Sequence, residues 1–219
     1  RNAASWIHAV NAGRESPGRV HVLLDVDGVV NAWTPRWAKA QTVQIHVPRE
    51  DRTLPVRIGL PILGFLRALA AHPNLTVDWA TTWRDDAYRI SEAFDLPEFY
   101  RLPDQPPLGE PWRTVFTDDS EGHYKGAGAL DVMSKGAAAL LWLDDEVATL
   151  SVARQFEDQF ITPALLVQPD DSSGLTRADL DAASRFIARH TGVSLPQLCG
   201  VPQDEARGLD HCRESWTGE

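Results

Sequence analysis

The stretch Val20-His21-Val22-Leu23-Leu24 runs without a break into Asp25-Val26-Asp27-Gly28, and it restricts the fold more tightly than any other part of the chain. A short apolar run rich in β-branched residues reads as a buried strand. Two carboxylates two residues apart at its end raise each other's pKa, which is costly without a cation. A hard divalent cation prefers oxygen ligands and removes that cost. Gly28 lets the chain turn sharply after the acids. The plainer reading is that Asp25 and Asp27 cap the turn that follows.

The pattern of strand followed by polar exit recurs. Leu75–Ala80 reads as a strand ending in Thr81-Thr82-Trp83, and Ala138–Leu143 as a strand entering Asp144-Asp145-Glu146. Pro163–Val167 is a further strand, followed by Asp170-Asp171-Ser172-Ser173-Gly174. Helical spacing follows Pro61, with Ile62, Leu63, Phe65, Leu66, Leu69 and Ala70, and recurs over 85–94, 125–134 and 147–158. Thr176-x-x-Asp179 has the form of an N-cap for a last helix to about His190. Residues 41–58 hold two alternating stretches around Arg49-Glu50-Asp51-Arg52, a hairpin pattern with one strand marked by Pro55. Residues 95–112 are Pro-rich and irregular, and 113–117 reads as another short strand.

Strands alternating with helices argue for an α/β protein: a three-layer sandwich around a largely parallel, Rossmann-like sheet. The expected organisation is a tail or short helix over 1–18, one domain over 19–192 and a peripheral tail over 193–219. Ligands of such sheets bind beyond the carboxyl ends of the strands. The exits at Asp25 and Asp27, at Thr81 and Thr82, and at Asp144 and Asp145 are therefore expected to meet in one crevice.

The order strand-Asp-x-Asp-Gly, strand-Thr, Lys, strand-Asp-Asp resembles the haloacid-dehalogenase-like (HAD) superfamily of phosphohydrolases over about residues 20–190. Trp79-Ala80-Thr81-Thr82-Trp83, Trp142-Leu143-Asp144-Asp145 and Gly174-Leu175-Thr176 resemble a narrower group, the HAD domains of RNA-repair-type ("Swiss Army Knife") proteins. The resemblance implies that Asp25 is the nucleophile and Asp27 the general acid and base. It implies that Thr81, with Thr82 as the alternative, binds phosphoryl oxygens near Gly28. It implies Mg²⁺ as cofactor, held by Asp25, the main-chain carbonyl at Asp27, Asp144 and Asp145. The lysine it requires is Lys125, at the front of a helix, with Lys135 as the alternative. Physical need agrees: a transferred phosphoryl group requires positioning and charge neutralisation, and a carboxylate nucleophile splits the hydrolysis into two steps.

Only 53 residues lie between Asp27 and Thr81, and 43 between Thr81 and Lys125. That is room for a small β-hairpin flap but not for a large cap domain, so the expected site is open and suits a bulky or nucleotide-like substrate. A mutase, which must shield its intermediate from water, is disfavoured on the same ground. With 21 Lys+Arg against 31 Asp+Glu, the net charge of −10 argues against general nucleic-acid binding. The longest apolar run, Ala137 to Leu143, is far shorter than a membrane span. A cytoplasmic location is expected, while the substrate's identity and the oligomeric state stay open. Cys199 and Cys212 are expected as free thiols, with a local disulfide or metal ligation as alternatives. Trp33, Trp37 and Trp83 flank the motifs and either pack or line the crevice. His123 reads as a loop residue, and Arg36 and Arg84 as candidates for a second anionic group. The first hypothesis is a Mg²⁺-dependent phosphomonoesterase; the alternative is a non-catalytic module that binds a phosphorylated ligand or a protein.

Overall fold

The computed structural model describes residues 19–102, 122–147 and 162–195. The expected strand at 113–117, the helix at 147–158, both tails, the two cysteines and the side chain of His123 lie outside what it describes.

Seven strands are present among the described residues: β1 (Val20–Leu24), β2 (Ala40–Val47), β3 (Arg52–Gly59), β4 (Leu75–Trp79), β5 (Tyr100–Arg101), β6 (Ala139–Leu143) and β7 (Ala164–Val167). The helices are α1 (Leu60–Ala71), α2 (Tyr88–Ala93), α3 (Gly122–Ser134) and α4 (Arg177–Thr191). Five strands form one sheet in the order β5-β4-β1-β6-β7, and every pairing in it is parallel. The first strand of the chain is thus the central one. The chain builds outward from it to β4 and β5, then returns to its other side with β6 and β7. That reversal beside β1 is the topological switch at which such sheets bind ligands.

Side-chain alternation explains the layers. Val20, Val22 and Leu24 of β1 pack into one core with Phe65 and Leu66 of α1 and Leu180 and Ile187 of α4. Leu23, Leu140 and Trp142 join a second core with Leu130 and Met133 of α3. With both faces covered, β1, β4 and β6 are buried along their whole length, which is why they read as continuous apolar runs.

The expected hairpin is the separate β2–β3 ribbon, with Gln44 opposite Pro55 and Val47 opposite Arg52. Its inward residues Ile45, Val47, Val56 and Ile58 belong to the first core. A 3-10 turn, Pro48–Glu50, closes it, and Asp51 is left-handed at φ 48. The last helix begins as its sequence requires: Thr176 and Asp179 form a capping box.

Two elements differ from expectation. Residues 85–94 are not one helix: a 3-10 turn, Arg84–Ala87, precedes α2, and its first residue, Arg84, has a φ of 52. Asp85 and Asp86 pair with Arg101 and Arg89. The irregular stretch from 95 contains β5, two residues that extend the sheet beside Asp78 and Trp79.

Candidate active site

The register of the sheet sets the site. Leu24 stands opposite both Trp79 and Leu143, so the residues that follow each strand emerge together. The Ala80 amide donates to Leu24 O at 2.7 Å, and the Asp25 amide to Leu143 O at 3.0 Å. Asp25, Thr81 and Asp144 therefore leave the sheet side by side, and all three are buried.

Lys125, in the first turn of α3, completes the group. Its ammonium donates to Asp25 Oδ2 at 2.5 Å and to Asp144 Oδ2 at 2.8 Å, and it is 3% exposed. The alternative, Lys135, is half-exposed and pairs with Asp131 at 2.9 Å. Backbone donors hold the other carboxylate oxygens: the Val26 amide donates to Asp25 Oδ1 at 2.7 Å and the Glu146 amide to Asp144 Oδ1 at 2.9 Å.

Asp145 is the third acid of the cluster. One oxygen each from Asp25, Asp144 and Asp145 lie within 4.8 Å of one another. Gly28 makes this approach possible. Its φ is +70, and a Cβ there would fall 2.3 Å from Asp145 Oδ2. Its amide donates to Asn31 O at 2.9 Å.

Among the described residues, three carboxylates face one ammonium, and the pKa shifts follow that imbalance. Burial, opposed by Lys125 and aided by Asp144, pushes the Asp25 carboxyl from 3.8 up to about 7. Burial and the charge of Asp144 push Asp145 up to about 6. The two carboxylates hold the Lys125 ammonium above its ordinary range against the opposing effect of burial. An all-oxygen donor set with surplus negative charge fits a hard divalent cation. Asp25, Asp144 and Asp145 would hold it.

Two predictions follow from this surplus. Folded carboxyls with raised pKa values keep protons that the unfolded chain has lost, so metal-free stability falls as pH rises from about 4 through 7. Melting temperatures in EDTA should decline from pH 5 to pH 8, and the increment from added Mg²⁺ should be larger at pH 8; a flat profile with no Mg²⁺ increment would contradict both the shifts and the metal. Asp144→Ala should weaken Mg²⁺ binding in a calorimetric titration by at least about tenfold, on the scale of disturbed metal ligation. Equal affinities would remove Asp144 from the ligands and leave Asp25 and Asp145 to hold the cation.

The remaining expected residues are placed as follows. Asp27 is exposed, and its carboxylate is outside the three-acid cluster. It accepts from Asn31 Nδ2 at 2.7 Å and from Trp83 Nε1 at 2.8 Å. Thr81 is 2% exposed, and its hydroxyl oxygen accepts from the Trp83 amide at 3.4 Å. Thr82 is half-buried, and its carbonyl accepts from Arg49 Nη2 at 2.8 Å, which seats the tip of the hairpin on the β4 exit. Of the three tryptophans, Trp83 is buried and Trp33 is 83% exposed. Trp37 is half-buried and donates to Leu175 O at 2.9 Å. Arg36 is exposed. Asn31 and Arg49 received no role from the sequence, because their partners are distant along the chain or lie in the backbone.

Residues 21–180 match the family model described as the HAD domain in Swiss Army Knife RNA repair proteins. No curated protein and no solved structure matches the chain.

Proposed function

Because the chain belongs to the HAD-domain family of Swiss Army Knife RNA repair proteins, and so to the HAD-type phosphohydrolases, we propose that it is a Mg²⁺-dependent phosphomonoesterase working through an aspartyl-phosphate. The observation that carries this reading is the buried Lys125 ammonium bonded to both Asp25 and Asp144, with Asp145 alongside.

In this reading an Asp25 oxygen attacks phosphorus while the bond to the ester oxygen breaks. Asp27 gives that departing oxygen its proton. Asp27, now a base, takes a proton from water as the water attacks phosphorus, and the bond to Asp25 breaks to return the free carboxylate. Lys125 keeps Asp25 oriented and offsets negative charge on the phosphoryl group. Thr81 supplies a hydroxyl near the β4 exit. Asp25, Asp144, Asp145 and the main-chain carbonyl at Asp27 would hold Mg²⁺, which supplies charge neutralisation for carboxylates and phosphoryl oxygens.

The first test is release of phosphate from p-nitrophenyl phosphate with Mg²⁺ and with EDTA. Turnover that requires the metal supports the proposal, whereas phospholigand binding without turnover would favour a non-catalytic module. A panel of phosphorylated metabolites, nucleotides and end-phosphorylated oligonucleotides then addresses the substrate. The oligonucleotides belong in it because of the family's tie to RNA repair.

The hairpin is the element placed to discriminate among them. Arg49 at its tip contacts the β4 exit, and its outward face carries Thr42, Gln44, His46, Thr53, Pro55 and Arg57, all exposed. Loops beside a rigid site commonly set specificity. Replacing Arg49–Arg52 with a Gly-Ser turn should change kcat/KM on a bulky phosphate by at least about tenfold more than on p-nitrophenyl phosphate, a shift of about 1.4 kcal/mol. An equal loss on both, with a lower melting temperature, would make the hairpin a structural element only.

A further inference from the structure

Asp27 is exposed, yet both of its carboxylate oxygens are occupied by side-chain donors from different parts of the fold. Asn31 Nδ2 donates to Oδ1 at 2.7 Å. Trp83 Nε1 donates to Oδ2 at 2.8 Å. Neither donor is loosely held. Trp83 is 4% exposed and packed in the first core, and its own amide is bonded to the Thr81 hydroxyl. Asn31 closes a tight turn in which Val26 O accepts from the Val29, Val30 and Asn31 amides. Its side-chain oxygen accepts from the Arg57 amide of β3 at 2.9 Å.

We propose that Asn31 and Trp83 are positioning residues that clamp Asp27 for proton transfer to the departing ester oxygen. The proposal rests on the phosphomonoesterase reading and adds to it two residues with no chemistry of their own. An exposed aspartate samples several side-chain orientations. Proton transfer requires a carboxyl oxygen within hydrogen-bond reach of the atom it serves, and small misplacements cost large factors in rate. Two fixed donors restrict Asp27 to one orientation. A carboxylate oxygen has more than one acceptor site, so each donor leaves room for the proton and for water. Through Arg57 the same clamp is joined to the hairpin, and through Thr81 to the β4 exit.

A clamp that serves proton transfer has a signature that ordinary packing lacks. An ester whose leaving group departs readily as an anion needs little help from an acid, whereas an alkyl phosphate needs a proton. The test compares kcat/KM on an alkyl phosphate and on p-nitrophenyl phosphate, using the full chain with Mg²⁺. The proteins are wild type, Asp25→Asn, Trp83→Phe, Asn31→Ala, Asp27→Asn and the two double variants that combine Asp27→Asn with Trp83→Phe or with Asn31→Ala. Trp83→Phe keeps a large ring and removes the N–H. Each clamp variant is expected to lose at least about tenfold more on the alkyl phosphate, within the range that general acid–base catalysis supplies. Neither is expected to add to that selective loss once Asp27 is Asn, because residues that act as a unit are not additive. Where Trp83→Phe lowers the melting temperature, Asn31→Ala at its half-buried position carries the comparison. Equal losses on both esters, or full multiplication of losses in the double variants, overturn the clamp while Asp25-dependent phosphate release leaves the phosphatase reading intact. A wild-type protein that releases phosphate from neither ester overturns both.

Discussion

An Asp25→Asn protein is expected to lose at least about a thousandfold in kcat on p-nitrophenyl phosphate, the scale seen when a nucleophile is removed, and still to fold. Loss of activity follows because the amide can neither attack phosphorus effectively nor offer an anionic ligand to a cation. Retention of the fold follows from the electrostatics. Asp25 is 6% exposed, and burial pushes its carboxyl up to about 7, so its charge is a burden in the metal-free protein. Asn fills nearly the same volume without that charge. Of the two donors that bond the Asp25 oxygens, the Val26 amide and Lys125, the Asn carbonyl oxygen can take the Val26 amide, and Lys125 keeps Asp144. The melting temperature in EDTA at pH 8 should equal or exceed that of wild type. Near-wild-type turnover would remove Asp25 from the chemistry; a collapsed fold would show that the carboxylate is structural.

Much of this site was legible because strand exits are local features of sequence. Val20–Leu24 announces a doubly buried strand by its unbroken apolarity, and Asp25 is simply the next residue. Asp144 and Thr81 follow in the same way, and the parallel register brings the three together. Lys125 was legible through the family's motif order, which separates it from Lys135 only by position. What stayed hidden depends on distance in space. β5 is two residues long and, among the described residues, pairs with Asp78 and Trp79, so no periodicity could mark it. The bond from Trp83 to Asp27 spans 56 positions, and that from Arg49 to Thr82 spans 33 and ends on a carbonyl. Asn31 stands inside the first motif, but its partners are a carboxylate one turn back and an amide on β3. No residue-type pattern encodes either. Trp83 read mainly as a packing residue, which is true of its ring and silent about its N–H.

Lys125→Met carries the largest expected cost in stability. Among the described residues, the ammonium is the cationic partner of two buried carboxylates, Asp25 and Asp144. Removing one member of a buried, charge-assisted group leaves the others uncompensated, at about 3–5 kcal/mol. Met fills the volume of the lysine stem, so the deficit reports charge and not a cavity. Its pH dependence separates the two as well. The raised Lys125 pKa keeps the ammonium charged throughout pH 5–8. What changes across that window is the carboxylates. Asp25, already near 7 with its lysine, rises further without it and is neutral at pH 5. The variant's deficit should therefore be smaller at pH 5 than at pH 8, in EDTA, by thermal or urea melting. Added Mg²⁺ should recover part of the deficit at pH 8, because a divalent cation can neutralise the same acids. Turnover should not recover with it, since the group that offsets phosphoryl charge is gone; a loss of at least about a hundredfold is expected. A deficit that is the same at every pH, and indifferent to Mg²⁺, would mean that Lys125 acts through its packing and that the charge balance inferred for the crevice is wrong.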